Sequence, residues 1–137
     1  MNERLAPPFF NKMAHNILAL MDASKKGDLK RVEKLTRRKK ALRAVHDGYT
    51  ALLLASMYGR LEVVRFLCHE GADVNARDMF GNTPLAFAAA DGNMEMMTVL
   101  CDWGADLDAR DDRESSLLMT AIKNEEYDAV NLLYSWK

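Results

Sequence analysis

A chain of 137 residues that is 49% hydrophobic and 28% charged, with a formal net charge of -1, fits one soluble domain and is too apolar to be disordered. Its 7 glycines and 3 prolines argue against loop-rich and all-β architectures, and no apolar run approaches the length of a membrane span. Pro7, Pro8, Asn11, Lys12 and His15 interrupt the N-terminal apolar residues, so no secretory leader is expected, and 2 cysteines, Cys68 and Cys101, suit a reducing compartment.

In chain order, residues 9–21 come first. Phe10, Met13, Ile17, Leu20 and Met21 recur there at helical spacing. The spacing predicts a long first helix that covers the open end of a core. A basic stretch follows: Lys25, Lys26, Lys30, Arg31, Lys34, then Arg37-Arg38-Lys39-Lys40 and Arg43. Residues 1–45 carry 12 basic and 4 acidic side chains, a balance of +8, whereas residues 46–137 carry 7 and 16, a balance of -9. The molecule is therefore expected to be a charge dipole along its length. The basic run reads as a solvated helix face and loop, with an import signal or an anionic contact as the functional alternatives. It has no interleaved aromatic residue, so only a weak option for nucleic acid remains, through Arg37–Lys40.

From residue 46 onward the chain repeats itself every 33 residues. Gly48 falls on Gly81, and Thr50 on Thr83 and Ser116. Leu52, Leu85 and Leu118 align, as do Ala55, Ala88 and Ala121, and Leu67, Leu100 and Leu133. Gly59 matches Gly92, and Gly71 matches Gly104. A further copy lies upstream at an offset of 32, where Ala23, Gly27, Leu29, Val32 and Leu35 match Ala55, Gly59, Leu61, Val64 and Leu67. Thr83 suits a helix N-cap and Pro84 the first helical turn, where no N–H is needed. Gly92 suits a left-handed stop. A second helix is predicted from about Met94 to Asp102, with Met97 and Leu100 facing inward, ended by Gly104. Two short helices cannot bury their apolar faces alone; stacked copies can.

Gly-Asn-Thr-Pro-Leu at 81–85 and Gly-Ala-Asp-Val-Asn-Ala at 71–76 resemble the motif segments of the ankyrin repeat. The resemblance covers residues 20–137 and implies an all-α solenoid of about four helix-turn-helix repeats with short hairpin-like turns. The units are expected at 1–45 (extension and capping repeat), 46–77, 78–110 and 111–137 (C-terminal capping repeat). The family's histidine after Thr-Pro-Leu is absent at 53, 86 and 119, which implies weaker polar coupling between repeats. Glu114 and Glu125 stand where other copies have glycine, so the last left-handed turn is expected at Asn124.

The resemblance also implies a concave face made of turn tips and exposed first-helix positions. The tips are His46, Asp47 and Tyr49; Met79, Phe80 and Asn82; and Asp112, Arg113 and Ser115. The helix positions are Met57 and Tyr58, Ala90 and Asp91, and Lys123 and Asn124. Within it, Tyr49, Met57, Tyr58, Met79 and Phe80 form an apolar strip of the kind that anchors partners. Trp103 is a weaker candidate, and Trp136 is expected to close the C-terminal core. Asn75, in Ala-Asp-Val-Asn, resembles substrates of an asparaginyl hydroxylase, beside its plainer reading as a turn residue.

Catalysis needs a nucleophile with a base, a metal site or a phosphate loop, and the sequence offers none of them. His15, His46 and His69 fall on different elements. Cys68-His69 and Cys101-Asp102 share one repeat position without metal-ligand spacing, and helix axes about 8–10 Å apart disfavour a disulfide between them. The acidic cluster, Asp102, Asp106, Asp108, Asp111, Asp112, Glu114, Glu125, Glu126 and Asp128, reads as family-typical loops or as a dock for a basic partner. The expected function is therefore non-enzymatic and without a cofactor. It is a protein-binding module acting as adaptor, scaffold or inhibitor, monomeric alone and cytoplasmic or nuclear. The alternative is a regulatory domain of a larger scaffold or enzyme.

Overall fold

The computed structural model describes residues 8–136, with side chains from Lys12 onward. The helices are α1 (Pro8–Lys26), α2 (Leu29–Leu35), α3 (Ala51–Met57), α4 (Leu61–His69), α5 (Pro84–Ala90), α6 (Met94–Asp102), α7 (Leu117–Lys123) and α8 (Tyr127–Ser135), with a 3-10 turn at Lys39–Arg43 after α2. Among the described residues no strand forms. Two isolated bridges, His46 with Tyr49 and Arg110 with Ser116, mark the hairpin-like turns. Helices α1, α3, α5 and α7 pack side by side in one layer, and α2, α4, α6 and α8 in the other.

The local chemistry recurs with the sequence. Thr50, Thr83 and Ser116 each accept a hydrogen bond from the backbone N–H three residues on, all at 3.2 Å, and so cap α3, α5 and α7. Each first helix then ends in the same way. The N–H groups of Asp28, Arg60, Asn93 and Glu126 donate to the carbonyls of Ala23, Ala55, Ala88 and Ala121 at 2.8–3.0 Å. That six-residue closure requires a left-handed residue just before the donor. Gly59 and Gly92 take it, with φ of 71° and 66°.

In the last repeat the closure overrides residue preference. Asn124, expected to be left-handed, has a φ of -91°, and Glu125 adopts 59° instead. Moving the turn to Asn124 would shift α8 by one residue and break the Glu126-to-Ala121 bond. The Asn124 amide is also engaged, donating to the Thr120 carbonyl at 2.8 Å. Glu114 is likewise left-handed, at 62°, where Gly48 and Gly81 stand in the other turns.

The shared core runs the length of the stack. Leu20, Leu52 and Leu85, Ala23, Ala55, Ala88 and Ala121, and Leu67, Leu100 and Leu133 are all buried. Trp136 is half-buried against the same core. Of the expected apolar face of the first helix, Ile17, Leu20 and Met21 pack inward but Met13 is exposed, a correction to the reading of residues 9–21. Met13 lies one helical turn before Ile17, the first inward-facing residue, and is 52% exposed among the described residues. The Phe10 side chain lies outside the described residues. Helix α1 is thus the first repeat's own first helix, extended N-terminally without a break.

Polar ties between loops come from residues other than the missing histidine. Asn75 donates to the Gly104 carbonyl (3.3 Å) and accepts from the Asp106 N–H (2.8 Å). Arg77 donates to the Arg110 carbonyl at 2.8 Å.

Candidate functional site

The turn tips are built by aspartates that the repeat comparison did not single out. Asp78, buried, accepts from the N–H groups of Phe80 and Asn82 at 2.9 and 2.8 Å and from the Asn82 amide at 3.3 Å. Asp111 does the same for Arg113 and Ser115, both at 2.9 Å. The first tip has Val45 at this register position, and its side chain is exposed. Counting 33 residues back from Asp78 would have exposed the anomaly: an apolar side chain there cannot accept from the turn's N–H groups, and that turn closes through the His46–Tyr49 backbone pair alone.

Neighbouring tips interlock through their glycines. A Cβ on Gly48 would meet the Met79 side chain at 2.7 Å, and one on Gly81 would meet the Asp112 carboxylate at 2.6 Å. The Asp112 N–H donates to the Phe80 carbonyl at 3.0 Å, and the Asp112 carboxylate lies 3.5 Å from Arg77. The middle tip is therefore held from both sides, while Met79 and Phe80 stay 66% and 62% exposed. Two large apolar side chains presented to solvent on a pinned turn have already lost much of the freedom that binding would otherwise remove.

The other expected contact residues divide by burial. Tyr58 is exposed at the end of α3, as are His46, Asp91, Asp112 and Arg113. Tyr49 and Met57 are half-buried, and Tyr49 packs against the core. Asn82 is half-buried and spends its amide on Asp78. His46 sits 3.3 Å from the Asp47 carboxylate. Partial burial raises the Asp91 carboxyl above the usual aspartate range. Trp103 is exposed on α6's end and meets His69 edge-on, ring centroids 6.2 Å apart.

The basic stretch stands apart from this face. Lys30, Lys34 and Arg37 border a groove between α2 and α4 that also includes Glu33, Phe66 and Glu70. Both thiols are reduced, and burial pushes Cys68 up to about 11. Burial, and then the Asp102 carboxylate, push Cys101 to about 11. Among the described residues no group of three or more His, Cys, Asp or Glu side chains is placed to hold a metal ion. Likewise, no described helix is long and apolar enough to cross a membrane.

Residues 47–79 match the family model for the ankyrin repeat, and residues 77–137 match that for ankyrin repeats in three copies. Among curated proteins, the protein phosphatase 1 regulatory subunit 27 of Homo sapiens and that of Mus musculus are each 39% identical over 71 residues. The match takes in 50% of this chain and 46% of each relative, so it spans about half the length of those proteins.

Proposed function

This chain belongs to the ankyrin-repeat family, a protein-interaction fold, and on that premise we propose that it regulates a partner protein by binding it on the concave face. The observation that carries the reading is the middle tip, where Met79 and Phe80 are exposed together on a turn fixed from both flanks. Tyr58 extends the apolar strip along the end of α3, and Val45 extends it along the tips. His46, Asp91 and Arg113 supply a polar rim. An apolar centre inside a polar rim is where interfaces concentrate their energy.

The relatives' name favours a regulatory role over a purely structural scaffold. A phosphatase catalytic subunit is therefore the first partner to test. The test is calorimetric titration of that subunit with the native chain and with a Met79→Ala/Phe80→Ala variant. The double change should weaken binding by about 2 kcal/mol or more, as anchor residues do, and leave the unfolding midpoint in place. Glu62→Ala and Glu95→Ala, on the second helices, should change little. Full affinity in the double variant would move the site elsewhere. No binding of the native chain would remove the phosphatase but leave the face open to test with another partner.

A further inference from the structure

The second helices open in one way, with one exception. Glu62, Glu95 and Asp128 share a register position in the first turns of α4, α6 and α8, where an acid suits the positive end of a helix. In α2 that position is Lys30. Two further positions shift the same way. Lys34 stands where Phe66, Val99 and Leu132 pack against the core, and Arg37 where the other repeats have His69, Asp102 and Ser135. A terminal repeat needs polar groups on its open side. Here Arg31 supplies them, at the position of the buried Val63, Met96 and Ala129: Asp22 pairs with it at 3.4 Å and with Lys26 at 3.1 Å, a polar cap on the stack. Capping needs polarity but no particular sign, so it does not account for a lysine at position 30.

The three cations line a groove. Between α4 and α6 the outer layer is tied by Arg65, 3.3 Å from Glu95 and 3.7 Å from Glu62. Between α2 and α4 the register puts Glu33 at the position of Arg65, and among the described residues no ion pair crosses. A groove of about 560 Å³ lies there. Lys30, Lys34 and Arg37 are exposed on its α2 side, and among the described residues none of them is paired with a carboxylate. The α4 side contributes the half-buried ring of Phe66 and the carboxylate of Glu70. The Thr36 hydroxyl is already committed, donating to the Val32 carbonyl at 2.8 Å.

Cations along one wall and an aromatic ring on the other fit an acidic segment that is also amphipathic, its carboxylates toward α2 and an apolar side chain on Phe66. Glu33 and Glu70 interrupt the positive field, which suits spaced carboxylates better than the unbroken phosphates of a nucleic acid. Glu62 and Glu95, exposed on the same outer layer, would repel an anionic bilayer laid across it. Arg38, Lys39 and Lys40 continue the basic edge. They are folded rather than extended: the Ala41 N–H donates to the Arg38 carbonyl at 3.0 Å and Leu42 is buried, so an import receptor that reads an extended basic peptide does not fit them.

We propose that the groove between α2 and α4 docks an acidic, amphipathic segment of a partner protein. It lies in the layer of second helices, away from the turn tips, and so stands independently of the concave-face reading. The test is fluorescence anisotropy of labelled glutamate-rich peptides, each with a leucine at a different position, titrated with the full chain. At least one peptide should bind, its affinity should fall as salt rises, and an all-glutamate peptide should bind more weakly. Lys30→Glu/Lys34→Glu should raise the dissociation constant at least about tenfold. Its unfolding midpoint should not fall, because glutamate at position 30 is what the register uses elsewhere. If that variant misfolds, Arg37→Ser, which installs the residue of the last repeat, should still weaken binding. Met79→Ala/Phe80→Ala should leave peptide binding unchanged. Failure of every peptide to bind overturns the proposal. So does affinity indifferent to the α2 variants, equal binding of the all-glutamate peptide, or loss of binding in the concave-face variant. Tighter binding of polythymidylate, or of phosphatidylserine vesicles, than of any peptide would overturn it too and assign the groove to a nucleic acid or a membrane.

Discussion

The middle of the stack and its C-terminal repeat share one hydrogen-bond plan and differ in what fills it. In the middle, Gly59, Gly81 and Gly92 take the left-handed positions and Leu52 and Leu85 are closed on all sides. In the last repeat, Glu114 and Glu125 take left-handed positions and Leu118 is partly open. The plan is thus set by the stack as a whole. Individual residues either suit it or are held to it at a cost of order 1–2 kcal/mol for a non-glycine left-handed residue. The last repeat should be the first to open.

The largest test of that contrast is truncation at equivalent positions. Leu85→Ala should lower unfolding free energy by about 2–5 kcal/mol, the usual range for a closed core site. Leu118→Ala should cost clearly less, because its neighbours are partly replaced by water. Urea titrations of both variants decide it. Equal losses would mean that the terminal repeat is as tightly packed as the middle.

A smaller effect of opposite sign is expected at the strained turns. Glu125→Gly and Glu114→Gly should each stabilise the chain by roughly 1 kcal/mol, since glycine adopts the left-handed region without penalty. Gly92→Ala should do the reverse, because its Cβ would also run into the Glu126 carboxylate. Hydrogen exchange should place the gain of the Glu125 variant in α7 and α8. A gain spread evenly along the chain would show that the repeats open together.

The smallest change is expected at the N-terminal end. Asp22→Asn removes both ion pairs of the polar cap, but all three side chains are about half exposed or more. Exposed pairs contribute up to about 1 kcal/mol and are screened by salt. A loss above that range, or one insensitive to salt, would mark the cluster as a structural lock.

Most of the scaffold was legible because it is periodic. The caps at Thr50, Thr83 and Ser116, the ends of α6 and the buried leucines all follow from a spacing of 33 residues. What escaped depends on closure between elements. Asn124 is the better left-handed residue by type, yet closure onto the Ala121 carbonyl keeps the turn at Glu125, the register position of Gly59 and Gly92. Met13 has the right spacing for burial, yet among the described residues nothing covers more than about half of it. Tyr49 and Phe80 read alike as tip aromatics, yet Tyr49 packs on the core while Phe80 faces water. Val45 was readable from the register with Asp78 and Asp111, although aromatic content alone did not point to it.

The two thiols give the stack a chemical clock. Cys68 and Cys101 occupy one register position on successive helices, and only the ionised form of either can react with an alkylating reagent. With both pushed up to about 11, the folded chain holds almost no thiolate at neutral pH. Alkylation of the buried Cys68 is therefore expected to report opening of α4, whereas the half-buried Cys101 keeps a direct, slower route to the reagent as well. Cys101, nearer the strained end, should be modified first. The same shift has a second reading in pH. The unfolded chain ionises near the ordinary thiol value of 9.0 and the folded chain does not until about 11. The thiols' contribution to stability is therefore intact below 9.0 and is lost as pH rises to about 11. A Cys68→Ser/Cys101→Ser variant should flatten that part of the pH profile.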